Sequence, residues 1–102
     1  MNDLLLLSKA MSDENRLKIV TLIQREQQLC VCEICDTLEL SQPLVSRHLK
    51  QLKAANVLES KKERKWAIYH ITTRPSPLLD AYLRALRLEE QALNPVVTCK
   101  TR

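Results

Sequence analysis

Two apolar stripes at helical spacing, separated by a three-residue connection, constrain this chain more than any other feature. Val31, Ile34, Cys35 and Leu38 recur at i, i+3, i+4 and i+7, and Val45, Leu49 and Leu52 form a second stripe after Glu39, Leu40 and Ser41. Each stripe predicts a short helix with one buried face. A connection this short forces the two helices to pack as a helix-turn-helix. Ser41 is placed to cap the second helix, and Pro43 is tolerated in its first turn. Around the rest of that helix lie Gln42, Ser46, Arg47, His48 and Lys50, polar and basic residues suited to base edges and phosphates. His48 has two readings at this point, a packing residue or a phosphate contact.

Charge supports the same reading. Residues 41–65 hold Arg47, Lys50, Lys53, Lys61, Lys62, Arg64 and Lys65 against Glu59 and Glu63, a net of +5 that leaves −1 for the other residues of a chain whose total is +4. Concentrated positive charge is the footprint of a polyanion-binding surface. Beyond Asn56 the pattern changes to two strands, residues 57–60 and 66–71. The basic residues 61–65 then form the hairpin tip, a wing that reaches a neighbouring groove or backbone with Lys61, Lys62, Arg64 and Lys65. A helix over residues 2–10, a second opened by Ser12 and running to about Glu26, and a last one from Ser76 and Pro77 to about Leu93 complete the set. The expected fold is mainly α: a winged helix-turn-helix of about five helices and a two-stranded wing. Residues 1–93 form one domain and residues 94–102 a loose tail.

Composition narrows the function classes. The chain has no Gly, which excludes phosphate-cradling glycine loops and dinucleotide-binding turns. It has no Phe, so aliphatic side chains must fill the core of its 102 residues. A core this small gains from a second copy of the chain. The longest purely apolar run, residues 4–7, is far below the ~20 residues of a membrane span, and the N-terminus does not read as a secretory signal. A cytoplasmic protein with reduced thiols is expected. Neither His48 nor His70 has a catalytic partner in sequence, and Glu89 and Glu90 read as a solvated helix face, so no enzymatic constellation is found.

Cys30, Cys32 and Cys35 place three thiols within six residues. Thiolates select soft metals and metalloids, and three sulfurs without a matching fourth ligand suit a trigonal site better than structural zinc. On a helix Cys32 and Cys35 lie about 60° apart and can share a ligand, whereas Cys30 and Cys32 lie about 200° apart. Either Cys30 sits outside the helix start, or the first turn unwinds when a ligand bridges all three. Cys30 and Cys32 are expected to face solvent. Cys35, on the apolar stripe, is open to two readings, a ligand or a buried core thiol. Cys99 is read as incidental.

Three stretches together resemble the ArsR/SmtB family of metal-responsive repressors. They are residues 12–19 (Ser-Asp-Glu-Asn-Arg-Leu-Lys-Ile), residues 29–34 (Leu-Cys-Val-Cys-Glu-Ile) and residues 41–50 (Ser-Gln-Pro-Leu-Val-Ser-Arg-His-Leu-Lys). The similarity covers about residues 8–90. The middle stretch, with Cys35 three residues beyond Cys32, looks like the metal box of the arsenite- and antimonite-sensing members. The resemblance implies a homodimer formed by the first and last helices, which binds double-stranded operator DNA. It further implies release when As(III) or Sb(III) binds the thiols. Cadmium and lead sensors add cysteines from an N-terminal extension, and residues 1–29 contain none; zinc sensors use His on the last helix, and residues 77–93 contain none. The family's hairpin tip often carries Gly, where Glu63 and Arg64 stand here. A thiol redox or persulfide sensor of the same fold, and a constitutive DNA binder with idle cysteines, are the alternative readings.

Overall fold

The computed structural model describes residues 1–89 and Pro95. Its elements in chain order are α1 (Asn2–Ala10), α2 (Glu14–Glu26), β1 (Gln28–Cys30), α3 (Val31–Leu38), α4 (Gln42–Ala54), β2 (Leu58–Glu63), β3 (Trp66–Ile71) and α5 (Pro77–Arg87). This is a winged helix-turn-helix. Residues 90–93 of the expected last helix, and the expected tail apart from Pro95, lie outside the described residues.

Local chemistry sets the helix ends. Asp13, not Ser12, caps α2: its carboxylate accepts the Arg16 N–H at 3.0 Å. Ser12 instead closes α1, its hydroxyl donating to the Lys9 carbonyl at 2.8 Å. The two residues compete for the same role, and the longer, charged side chain takes it. Ser41 caps α4 and Ser76 caps α5, each followed by a proline in the first turn, as the sequence indicates.

The sheet differs from the expected pair of strands. It has three, in the order β1-β3-β2, because Gln28, Leu29 and Cys30 pair antiparallel with His70, Tyr69 and Ile68. The hairpin is also longer than expected. β2 runs to Glu63, which pairs with Trp66, so Arg64 and Lys65 alone form the tip. Arg64 takes φ 60° there, a left-handed conformation that glycine would adopt more easily. Lys65 lies over the Trp66 ring, 5.5 Å from its centroid, a cation–π contact that braces the tip. At the base of the wing the Thr72 hydroxyl donates to Glu59 Oε2 at 2.8 Å, and the Thr73 N–H donates to the same oxygen at 3.3 Å.

The core is aliphatic throughout. Ile19, Val20, Leu22 and Ile23 of α2 meet Ile34 of α3, Val45, Leu49 and Leu52 of α4, Leu58 of β2, and Leu79 and Leu83 of α5. Both helices of the helix-turn-helix are thus anchored by side chains at 0% exposure, Ile34 on one and Val45, Leu49 and Leu52 on the other. By contrast, α1 sends only Leu7 and Ala10 inward, while Leu4, Leu5 and Leu6 remain about half exposed, at 50%, 50% and 46%. Leu52→Ala leaves a cavity under the recognition helix and is expected to cost about 2–5 kcal/mol of unfolding free energy, read by urea denaturation; a loss below 1 kcal/mol would show that α4 is not packed as described.

Candidate DNA-binding face and thiol cluster

The turn between α3 and α4 is Glu39, Leu40 and Ser41. It is closed by Glu39 at φ 56° and by the Leu40 N–H donating to the Cys35 carbonyl at 3.1 Å. On α4 the residues Gln42, Ser46, Arg47 and Lys50 are exposed, as is the cap residue Ser41. On the wing Lys61, Lys62, Arg64 and Lys65 are exposed. Nine of the ten residues expected to contact DNA therefore present free surface on the second helix and the hairpin after it.

His48 is the exception. It is only 7% exposed and lies on the inner side of α4. Its Nδ1 is 3.3 Å from Arg16 Nη1 and its Nε2 is 3.9 Å from Asp13 Oδ2. The phosphate-contact reading of His48 is corrected on that ground; the packing reading stands. Burial pushes its pKa down, helped by the Arg16 and Arg47 charges and opposed by Asp13. Arg16, the centre of this group, was not singled out from sequence. No local signal marks an arginine whose partners lie 32 and 35 residues away.

The cysteines correct a second expectation. Cys30 does not face solvent: it is 1% exposed, at the end of β1 and at the N-cap of α3. Its backbone N–H donates to Glu33 Oε1 at 3.1 Å, half of a capping box. With φ −88° and ψ 165° Cys30 is extended, so the 200° helical separation from Cys32 does not apply. The two sulfurs lie 3.4 Å apart. Cys32 and Cys35 are both partly buried. Among the described residues no three His, Cys, Asp or Glu side chains converge on a single metal position. The fold thus brings two sulfurs together, with Cys35 about one helical turn beyond Cys32. Burial pushes the Cys35 thiol up, and Asp36 and Cys30 add to the rise.

A helix-turn-helix followed by a basic β-hairpin defines a winged helix-turn-helix regulator of transcription. Residues 13–60 match the family described as bacterial regulatory protein, arsR family. The arsenical resistance operon repressor of Escherichia coli K12 is 37% identical over 95 residues, 89% of this chain and 79% of that protein. The chain belongs to the arsR family. The arsenic resistance transcriptional regulator ArsR1 of Pseudomonas putida is 40% identical over 78 residues; these make up 76% of this chain but only 61% of that protein, less than two thirds of its length. HlyU from Vibrio cholerae has the same fold, with a TM-score of 0.72 at 32% identity over 85% of this chain and 91% of the other. The first two relatives are named as regulators, not enzymes. Among the described residues no helix is long and apolar enough to cross a membrane.

The thiolate is the reactive form of cysteine. Cys35 is therefore expected to react with iodoacetamide at neutral pH more slowly in the folded protein than in urea, as followed by peptide mass spectrometry. The difference should narrow as the pH is raised above 9. Equal rates at pH 7 in both solvents would place Cys35 in ordinary aqueous surroundings.

Proposed function

We propose that the chain is a metalloid-responsive transcriptional repressor. It binds double-stranded operator DNA as a homodimer and leaves it when As(III) or Sb(III) binds Cys30, Cys32 and Cys35. The observation that carries this reading is the Cys30–Cys32 sulfur pair, 3.4 Å apart at the buried joint between β1 and α3. Two sulfurs are ready for one soft centre, and the third is reached only if the first turn of α3 changes shape. That change acts on the Cys30–Glu33 cap and on the Cys30–Ile68 end of the sheet. Through the packing of α3 on α4 it reaches the recognition helix. The names of the Escherichia coli and Pseudomonas putida relatives agree with this effector class.

The chemistry is a condensation. Each arsenic–sulfur bond replaces an arsenic–hydroxyl bond, and the thiol proton leaves with that hydroxyl as water. Three such exchanges release three waters, move no electrons and liberate no net protons. Binding equilibria are then insensitive to pH while both reactants are neutral. A divalent cation displaces thiol protons and binds more tightly as pH rises.

The decisive experiment titrates arsenite against operator binding with excess reductant present, at pH 6.5 and 7.5. Wild type is expected to dissociate at the same free arsenite at both pH values, with a coupling of about 1–3 kcal/mol between the two sites. Cys32→Ser is expected to bind DNA as wild type does and to stay bound. Release of Cys32→Ser at the wild-type arsenite concentration defeats the metalloid reading. Release only after oxidant or polysulfide assigns a thiol redox sensor instead, and no response at all a constitutive binder.

The homodimer reading rests on the outward face of α1. Leu4, Leu5 and Leu6 are about half exposed in succession, and Leu88, just past α5, is 88% exposed. A second copy related by twofold symmetry covers such a face at both terminal helices. Leu5→Glu leaves the core untouched and is expected to shift the sedimentation coefficient from dimer to monomer and to weaken operator binding. An unchanged dimer would move the interface elsewhere.

A further inference from the structure

The Arg16 side chain makes four polar contacts, and the DNA-binding reading uses none of them. Its Nε donates to the Ala10 carbonyl at 2.7 Å and its Nη2 to the Lys9 carbonyl at 3.1 Å. These are the last two residues of α1; the Lys9 carbonyl also accepts from the Ser12 N–H at 3.2 Å and the Ser12 hydroxyl at 2.8 Å. Its Nη1 donates to Gln51 Oε1 at 2.5 Å and faces His48 Nδ1 at 3.3 Å. His48 and Gln51 are three residues apart on α4 and share one face of it. Its own backbone N–H binds the Asp13 cap. One guanidinium therefore joins the end of α1, the start of α2 and the inner face of the recognition helix.

We propose that Arg16 is the positioning residue that fixes the recognition helix against the end of α1, and that its contact with His48 makes this tie sensitive to protonation. The proposal rests on the DNA-binding reading for its consequence, since a recognition helix must be held at a set angle to enter a groove. It also gives α1 a role beyond assembly, because whatever α1 packs against is relayed to α4 through a rigid, planar fork. Lysine has the charge but not the fork, and cannot meet four acceptors in two directions.

The sensitivity to protons follows from donor–acceptor matching. A guanidinium only donates, so His48 Nδ1 must offer a lone pair and the ring proton must sit on Nε2. Nε2 then points toward Asp13 from 3.9 Å, too far for a hydrogen bond. Protonation places an N–H on Nδ1 against the Arg16 N–H groups, donor facing donor. The charged groups around the ring are Asp13 and Arg16 at the start of α2 and Arg47 on α4; α1 presents the carbonyls of Lys9 and Ala10 to the guanidinium. Burial and the two arginines outweigh Asp13, so His48 holds its proton less tightly when folded than when unfolded. The stability this contributes is whole above the ordinary histidine value of about 6.5 and is lost as the pH falls through the lower folded value.

The test uses the full chain and a duplex selected from a random-sequence pool by the wild-type protein. At pH 7.5 and low temperature, Arg16→Met is expected to weaken binding about tenfold or more, and Arg16→Lys to recover little of it. Wild-type affinity is expected to fall on acidification through the lowered folded value of His48, which lies under the ordinary histidine value of about 6.5. His48→Asn, whose Oδ1 takes the place of Nδ1 and cannot be protonated, is expected to keep neutral-pH affinity within about threefold and to lose that acid dependence. Wild-type affinity in Arg16→Met, or an unaltered acid profile in His48→Asn, overturns the proposal. The His48 ring titration, followed by proton NMR without DNA, separates positioning from loss of fold and from failure of the DNA-binding reading. In folded Arg16→Met the His48 pKa is expected to rise, because the opposing charge is gone; an unchanged value overturns the tie even if the wild type binds no duplex.

Discussion

The joint at Cys30 is the constraint on which the arrangement of the thiols, the sheet and the helix-turn-helix depends. One residue ends β1 against Ile68, caps α3, and places its sulfur beside that of Cys32. Extended backbone at Cys30 is required for the first of these, and it is the same extended backbone that swings the sulfur back onto Cys32. The thiol pair is therefore a by-product of strand pairing and helix capping, not of helical periodicity. Because the joint is buried, a ligand there cannot be accommodated by solvent-exposed side chains moving alone. The backbone that carries β1, and with it one edge of the wing strand, has to respond.

The helical half of the fold was legible because its signals are local. Stripes at i, i+3, i+4 and i+7 mark α3 and α4, serine caps followed by proline mark the starts of α4 and α5, and basic residues mark the wing. What was not legible is long-range. Three residues, Gln28 to Cys30, are too few to show a strand period, and their partner strand begins nearly forty residues later. Cys30 does lie outside the helix start, one of the two arrangements open from sequence, but without a visible β1 its burial could not be foreseen and solvent exposure was expected in its place. His48 was left open between two readings for the same reason: it follows the exposed Ser46 and Arg47 in sequence, and the contacts that mark it as a packing residue come from Arg16 of α2 and from Asp13, which caps α2.

The absence of glycine left a visible mark on the backbone. Gln27, Glu39, Asn56 and Arg64 all adopt positive φ, at 77°, 56°, 60° and 60°. Each sits where one element hands over to the next: before β1, after α3, before β2, and at the wing tip. Only the asparagine is a residue that tolerates this region well. Glycine at these positions would adopt the same angles without a Cβ clash and would also leave the unfolded chain more freedom to lose. At Glu39 the left-handed turn and the Leu40 N–H to Cys35 carbonyl bond close the short connection between α3 and α4.

On the two proposals made above, two independent inputs bear on the same recognition helix. From one side α3 carries the thiol cluster and meets α4 through Ile34 and the Val45, Leu49 and Leu52 face, an apolar contact that transmits displacement but not charge. From the other side Arg16 meets α4 through His48 and Gln51, a polar contact that transmits both displacement and protonation. The two faces of α4 used for this are distinct from the face that presents Ser46, Arg47 and Lys50 to solvent. An α-helix has room for all three, because each residue turns by about 100°, which puts Val45, Leu49 and Leu52, then His48 and Gln51, then Ser46, Arg47 and Lys50 in successive sectors around the axis. Thirteen residues of helix are enough to be read by DNA on one side, held by the core on another, and tied to α1 on a third.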